Sequence, residues 1–176
     1  QFDTQAAFIA TVEKDLSHAA QAPVTLDLFQ VDALETSQPE GMCIDDLIPT
    51  QLENHPNANL LQLDESAENV EVQFYSHLLR SNCPVTEQPD WGTVFIRYQG
   101  KKPCYRSILA YIISYRQHNG FHEQCVEQMF ADIWQNFAPE KLMVYATYTR
   151  RGGLDINPCR VSDLTWMPRP IRLARQ

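Results

Sequence analysis

The chain has 176 residues, of which 44% are hydrophobic and 20% are charged, as in an ordinary folded domain. Fourteen basic against twenty-two acidic residues give a formal charge of −8, which argues against a protein that binds a phosphate backbone. Five cysteines without a C-x-x-C pair indicate neither a disulfide framework nor a metal site. This cysteine usage favours the reducing cytoplasm. The longest apolar run, Ile108 to Ile113, is too short to cross a membrane.

The first third of the chain predicts one helix and a long excursion. Phe2 to Gln21 consists mostly of helix-forming residues, and Val24 to Val31 alternates like a strand. From Asp32 to about Pro56 the chain is acidic and proline-containing, which predicts a surface segment. A short strand is predicted over Asn59 to Leu63.

The remaining chain is more regular and alternates between strand and helix patterns. Strands are predicted at Val70–Tyr75, Gly92–Tyr98 and Leu142–Thr149, with the start of another at Leu154–Asn157, and helices are predicted from Pro103 to about His118 and over Phe121–Phe137. This order predicts an α+β fold, in which an antiparallel β-sheet carries two helices packed on one face.

A polar loop between the first two of these strands contains Cys83, and Asp90 follows it in the same loop. A loop position favours exposure, whereas the other cysteines are expected to be small buried hydrophobes. A loop that doubles back would bring the Asp90 carboxyl near an intermediate bound to the Cys83 thiol. A cysteine hydrolase with His122 as base and Asp90 as orienter fits the same residues, and spacing alone leaves it open.

Two further segments contain candidate binding residues. His122 and Glu123 open the second long helix, where neighbours point about 100° apart and so face different parts of a pocket. Equally, Glu123 fits a first-turn carboxylate favoured by the helix dipole and His122 a surface histidine. Arg151 and Gly152 belong to the segment RRGG, which suits a phosphate ligand but also suits a plain hairpin turn.

Three segments together resemble the family of NADPH-dependent 7-cyano-7-deazaguanine reductases, the nitrile reductases of queuosine biosynthesis. They are SNCPVTEQPDWG (Ser81–Gly92), FHEQCVE (Phe121–Glu127) and YTRRGGLDINP (Tyr148–Pro158). The resemblance is to the longer, two-module form and runs through nearly the whole chain. It implies a tunnelling fold, NADPH as cofactor, and reduction of the nitrile to the primary amine 7-aminomethyl-7-deazaguanine.

The resemblance also implies a role for each candidate residue. Two would carry the chemistry through a covalent thioimide, two would bind the deazaguanine, and two would contact NADPH. They are the nucleophile Cys83 and the general acid Asp90, the substrate-binding His122 and Glu123, and the cofactor-binding Arg151 and Gly152.

One family signature, a glutamate-serine-lysine segment, does not occur in this chain. In the two-module form it belongs to the amino-terminal module, so we expect this chain to be the carboxy-terminal half of a longer protein. Residues 1–65 would then form a linker helix and an excursion that join the two modules, and residues 66–176 the catalytic domain. The resemblance further implies a homo-oligomer, which we expect to be a homodimer, without direct nucleic-acid or membrane partners.

Two other classes of function remain as alternatives. A non-catalytic tunnelling-fold module could bind a purine or pterin, but such a module would need neither Cys83 nor Asp90. A hydrolase resembling GTP cyclohydrolase would need zinc, for which Cys83, Cys125 and His122 could be ligands. Cys125 falls on the apolar stripe of its helix, which disfavours this second alternative.

Overall fold

The structure is a computed structural model that describes residues 2–176. The chain divides into two compact units, of which the first ends at Glu35 and the second comprises Thr36–Gln176. No helix in the described range is both long enough and apolar enough to span a membrane.

The first unit consists of one helix and the segment that follows it. Helix α1 spans Gln5–Ala20, and the Thr4 side chain caps it by accepting a hydrogen bond from the third backbone N–H. The strand predicted over Val24–Val31 is wrong, because residues 24–30 belong to no sheet and Val31 begins a short 3₁₀ helix. The Val24 N–H donates to the Ser17 hydroxyl on α1 instead of to a neighbouring strand.

The second unit is built on a five-stranded sheet with its strands in chain order. The strands are β1 (Met42–Cys43), β2 (Asn69–Asn82), β3 (Pro89–Lys101), β4 (Lys141–Tyr148) and β5 (Cys159–Val161). The pairs from β2 to β5 are antiparallel, and the short β1 adds a parallel pair at one edge. The expected α+β class and antiparallel sheet are confirmed, with β1 as an unforeseen parallel edge strand.

Two helices cover one face of this sheet, as the sequence predicted. Helix α2 spans Tyr105–Ser114 and α3 spans His122–Phe137. Their apolar sides share one hydrophobic core with alternate residues of the central strands. Fully buried members of this core include Val94, Ile96 and Tyr98 of β3, Leu109 of α2, Met129 of α3, and Val144, Ala146 and Tyr148 of β4. The helix-covered face of the sheet is therefore defined by these positions.

From Thr36 onward the acidic excursion is part of the second unit, and it is anchored to the sheet. Ile44 has no exposed surface, and Leu60 and Leu61 are also buried. The Asp45 carboxylate accepts a 2.6 Å hydrogen bond from the Ser76 hydroxyl, at a point where the register of β2 shifts. Ile44, Leu60 and Leu61 therefore contribute to the core of the second unit, which begins at Thr36.

Two short strands were misplaced by the sequence patterns. Asn59–Leu63, predicted as a strand, begins with a 3₁₀ helix over Ala58–Leu60 and makes only a single bridge to Pro103. The strand expected at Leu154–Asn157 is a loop, and the last strand follows it as β5.

Candidate active site

The Cys83 loop closes a long β-hairpin. β2 ends at Asn82 and β3 begins at Pro89, and the Cys83 backbone N–H donates a 2.9 Å hydrogen bond to the Gln88 carbonyl across the loop. Asp90 pairs with Ser81 at the end of this ladder. The loop thus doubles back as the sequence predicted, and Cys83 and Asp90 lie at the same end of one hairpin.

The Cys83 thiol is surrounded by groups that stabilise its anion. The Thr86 hydroxyl donates a hydrogen bond to the sulfur, the backbone N–H groups of Thr86 and Val85 add to it, and the Arg151 charge acts in the same direction. Together they hold the pKa of the Cys83 thiol below its usual value, although partial burial opposes them. A half-buried thiol with a depressed pKa is the usual environment of a reactive cysteine.

The other cysteines differ from Cys83 in their surroundings. Cys125 is fully buried as predicted, and burial raises its pKa. Burial also raises the pKa of the half-buried Cys159 to about 11. The expected burial is wrong for Cys43, which is exposed, and incomplete for Cys104 and Cys159.

Asp90 is a buried carboxylate held between two nitrogen groups. Only 2% of the residue is exposed, because it is the second residue of the central strand β3 and lies on the helix-covered side. One carboxylate oxygen, Oδ1, lies 2.6 Å from Nη2 of Arg151, and the other, Oδ2, lies 3.2 Å from Nε2 of His122. A charge this deeply buried needs such partners, since an isolated carboxylate in the interior is strongly unfavourable.

Arg151 joins the Cys83 loop to Asp90. Besides its ion pair, its guanidinium donates hydrogen bonds to the Thr86 hydroxyl (3.2 Å) and to the Gln88 carbonyl (3.1 Å). The Thr86 hydroxyl therefore accepts a hydrogen bond from Arg151 and donates one to Cys83, so that a single hydroxyl links the guanidinium to the thiol. The sequence singled out Arg151 only for a phosphate, and its contact with Asp90 was not predicted.

The turn after Arg151 is a tight two-residue hairpin. Gly152 and Gly153 have φ of +58° and +84°, and Arg151 exchanges backbone hydrogen bonds with Leu154 across them. Two successive positive φ values favour glycine, which explains the pair in the sequence. The turn is open, because a side-chain carbon placed at either glycine would meet no atom within 4 Å. With Arg151 still about one-third exposed, this surface fits a phosphate-bearing cofactor.

His122 and Tyr148 are stacked beside Asp90. Their rings are parallel within 4°, with centroids 3.8 Å apart. His122 is the first residue of α3 and Tyr148 the last residue of β4. Tyr148 was not singled out from the sequence. It opens the YTRRGG segment and lies on the same face of its strand as the apolar core residues, which occupy every second position before it.

Glu123 occupies the first turn of α3 and is exposed. No ion pair to it is present among residues 2–176. The structure thus brings Cys83, Asp90, His122 and Arg151 together, and it leaves the Glu123 carboxylate and the Gly152 backbone open beside them.

A zinc site is not formed by the residues considered for one. Within the described range, no group of three or more His, Cys, Asp or Glu side chains could hold a metal ion. Cys125 points into the core, where its thiol faces the hydroxyls of Ser81 and Tyr148. His122 contacts Asp90 instead.

The chain is similar to several known proteins. The family described as QueF-like protein matches residues 89–164. The chain is 81% identical, over its full length, to the NADPH-dependent 7-cyano-7-deazaguanine reductase of Acinetobacter baumannii strain SDF, covering 65% of that protein. It is 74% identical to the reductase of the same name from Acinetobacter baylyi over 99% of this chain and 65% of that one. For the reductase of Psychrobacter cryohalolentis the identity is 51%, over 94% of this chain and 63% of the relative.

Among solved structures, the apo form of the archaeosine synthase QueF-Like matches with a TM-score of 0.47 and 18% identity, over 53% of this chain and 92% of that one. The chain spans about 65% of the length of the Acinetobacter relatives. Along its whole length the chain is thus similar to proteins named NADPH-dependent 7-cyano-7-deazaguanine reductase, and residues 89–164 match the QueF-like family.

Proposed function

We propose that this chain contains the catalytic centre of a nitrile reductase that converts 7-cyano-7-deazaguanine to 7-aminomethyl-7-deazaguanine with NADPH. The observation that carries the proposal is the hairpin end, where the stabilised Cys83 thiol and the buried Asp90 carboxylate are joined through Arg151. The relatives that match the whole chain bear the name of this activity. A module that only binds a purine or pterin would have no need of a reactive thiol.

Cys83 is the nucleophile in this proposal. Its thiolate adds to the nitrile carbon, one C≡N bond is replaced by a C–S bond, and the freed electron pair on nitrogen takes up a proton. The result is a covalent thioimide, whose C=N group accepts hydride more readily than the nitrile does. The depressed pKa of Cys83 supplies the thiolate near neutral pH.

Asp90 delivers the proton to the nitrogen, after its carboxylate has taken up the proton that the Cys83 thiol releases. Its carboxyl group is held in place by Arg151 on one oxygen and by His122 on the other, so its position is fixed before the substrate arrives. Because only 2% of Asp90 is exposed, bulk water does not compete for this proton transfer.

Glu123 and His122 bind the deazaguanine. The open Glu123 carboxylate can accept two hydrogen bonds, from the ring N–H and from the exocyclic amino group. Arg151 and the Gly152 backbone would hold a phosphate of NADPH, which supplies the hydride in each of two reduction steps. The open glycine turn leaves room for that contact.

The chain belongs to a longer protein in this proposal. Residues 1–65 would join an amino-terminal module to the catalytic domain at 66–176, which lies within the second compact unit. The relatives exceed this chain in length, which agrees with an additional module. We further propose that the protein works as a homodimer in the cytoplasm.

The proposal is tested by intact-protein mass spectrometry after mixing the chain with 7-cyano-7-deazaguanine in the absence of NADPH. We expect a mass increase of one substrate molecule. It should be absent in Cys83→Ala and present in the matched control Cys43→Ala, which changes an exposed cysteine in β1. An adduct that persists in Cys83→Ala would overturn the covalent mechanism.

The same measurement on the longer Acinetobacter baumannii reductase separates the remaining outcomes. An adduct on that protein alone would mean that residues outside this chain complete the pocket. Tight binding without an adduct on either protein would favour the binding module, and neither binding nor adduct would overturn the reductase proposal.

A further inference from the structure

Tyr148 is fixed in the core and cannot easily reorient. It has no exposed surface, and its ring packs against Gly92 on the neighbouring strand. A side-chain carbon at Gly92 would approach the Tyr148 ring to 3.1 Å, so the ring occupies the space that the glycine leaves free. At the far end of the ring, the hydroxyl faces Ser81 and Cys125.

His122, in contrast, has a single polar contact that orients its ring among residues 2–176. Nε2 lies 3.2 Å from Asp90 Oδ2, but Nδ1 is buried without a hydrogen-bond partner among residues 2–176. Functional histidines are commonly oriented by a hydrogen bond at the second ring nitrogen. Because that bond is missing here, a single contact at Nε2 would leave the imidazole free to tilt about it.

The stack supplies the missing restraint. The Tyr148 ring lies 3.8 Å from the imidazole and parallel to it within 4°, so it limits tilting of the imidazole plane. We propose that Tyr148 is a positioning residue, whose ring fixes the plane of the His122 imidazole and so holds Nε2 against Asp90. The consequence for catalysis rests on the proposed function, whereas the restraint on the ring does not.

The proposal predicts that the aromatic face of Tyr148 matters and its hydroxyl does not. Tyr148→Phe should keep both the stack and the rate of thioimide formation. Tyr148→Leu should slow thioimide formation by about 100-fold, the scale expected when a reacting group is misplaced by about an ångström.

The direct test is NMR of the full chain with isotopically labelled histidine. The chain has five histidines, and His122→Gln identifies the signal of His122 by its loss. We expect an upfield ring-current shift of the His122 carbon-bound protons in the native chain and in Tyr148→Phe, and its loss in Tyr148→Leu. This readout needs no substrate, so a failure of the reductase proposal would leave it intact.

A second variant keeps the test valid if Tyr148→Leu does not fold. Gly92→Ala retains Tyr148 but pushes its ring by a few tenths of an ångström, since the added carbon lies only 3.1 Å from it. The His122 signal should then move less than in Tyr148→Leu. A His122 signal unchanged in both variants, or an adduct rate unchanged while the signal moves, would overturn the positioning role.

Discussion

Nη2 of Arg151 lies 2.6 Å from Oδ1 of Asp90, and this ion pair joins the turn after β4 to the first residues of β3. The same guanidinium bonds to Thr86 and Gln88 in the Cys83 loop. A single side chain therefore connects the proposed acid, the loop of the proposed nucleophile and the proposed cofactor surface. Substitutions at and around Arg151 should separate its effects on the acid, on the nucleophile loop and on the cofactor surface.

Replacing Arg151 by Gln should destabilise the fold, because it leaves the buried Asp90 carboxylate without its cation. We expect a loss of about 1–2 kcal/mol in the free energy of unfolding, since Arg151 itself is partly exposed. Urea denaturation measures this free energy of unfolding. The matched control is Arg150→Gln, whose side chain donates within residues 2–176 only to the backbone oxygen of Gln176. It should stay within about 0.5 kcal/mol of the native chain. Equal effects of the two variants would contradict a structural role for the ion pair.

Replacing Thr86 by Val should make Cys83 less reactive at neutral pH. The Thr86 hydroxyl is the largest contributor to the low pKa of this thiol, so its loss should move the pKa upward. The thiolate fraction at a given pH then falls, and the pH–rate curve for iodoacetamide alkylation of Cys83 should shift to higher pH. Peptide mass spectrometry follows the site, with Cys159, whose pKa is about 11, as an internal control.

In Arg151→Gln the same curve should shift less, because the Arg151 charge contributes least to the low pKa. A larger shift in Arg151→Gln than in Thr86→Val would show that the charge, and not the hydroxyl, sets the thiol pKa.

Asp90→Asn should slow thioimide formation by about 10²–10⁴-fold, the usual contribution of a general acid. The amide has the same shape as the carboxyl group but cannot deliver a proton. Stopped mixing with 7-cyano-7-deazaguanine, followed by mass spectrometry, gives the rate. Asp46→Asn, a change at an exposed carboxylate, is the control. A native rate in Asp90→Asn would remove this residue from the proton transfer.

Glu123→Gln should weaken binding of the deazaguanine by about 2 kcal/mol, close to 30-fold in Kd, because a charge-assisted hydrogen bond is lost. The free energy of unfolding of this variant should change little. Glu123 is exposed, and its favourable position at the helix start contributes only about 0.5 kcal/mol. Calorimetry on the Cys83→Ala background measures binding without the covalent step. Glu127→Gln, one turn later on α3, should bind as the parent does, and similar losses in both would place recognition elsewhere.

Local patterns in the sequence were sufficient for most of the second unit. The alternation of β2 and the helical periodicity of α3 each lie within one continuous segment, and both report burial of one face. The apolar run of β4 also lies in one segment, but that strand is buried on both faces. The same reasoning failed for Val24–Val31, since alternation indicates a strand only where a neighbouring strand supplies hydrogen bonds.

By itself the sequence determined the strand–helix order, the hairpin that brings Cys83 and Asp90 to one end, and the glycine turn after Arg151. Each of these depends on residues close together in the chain. Only the tertiary structure decided that Arg151 pairs with Asp90 and that Tyr148 stacks on His122. Those partners come from different strands and from a helix, and their contact depends on strand register and on the packing of α3 against the sheet, which no local pattern of residues specifies.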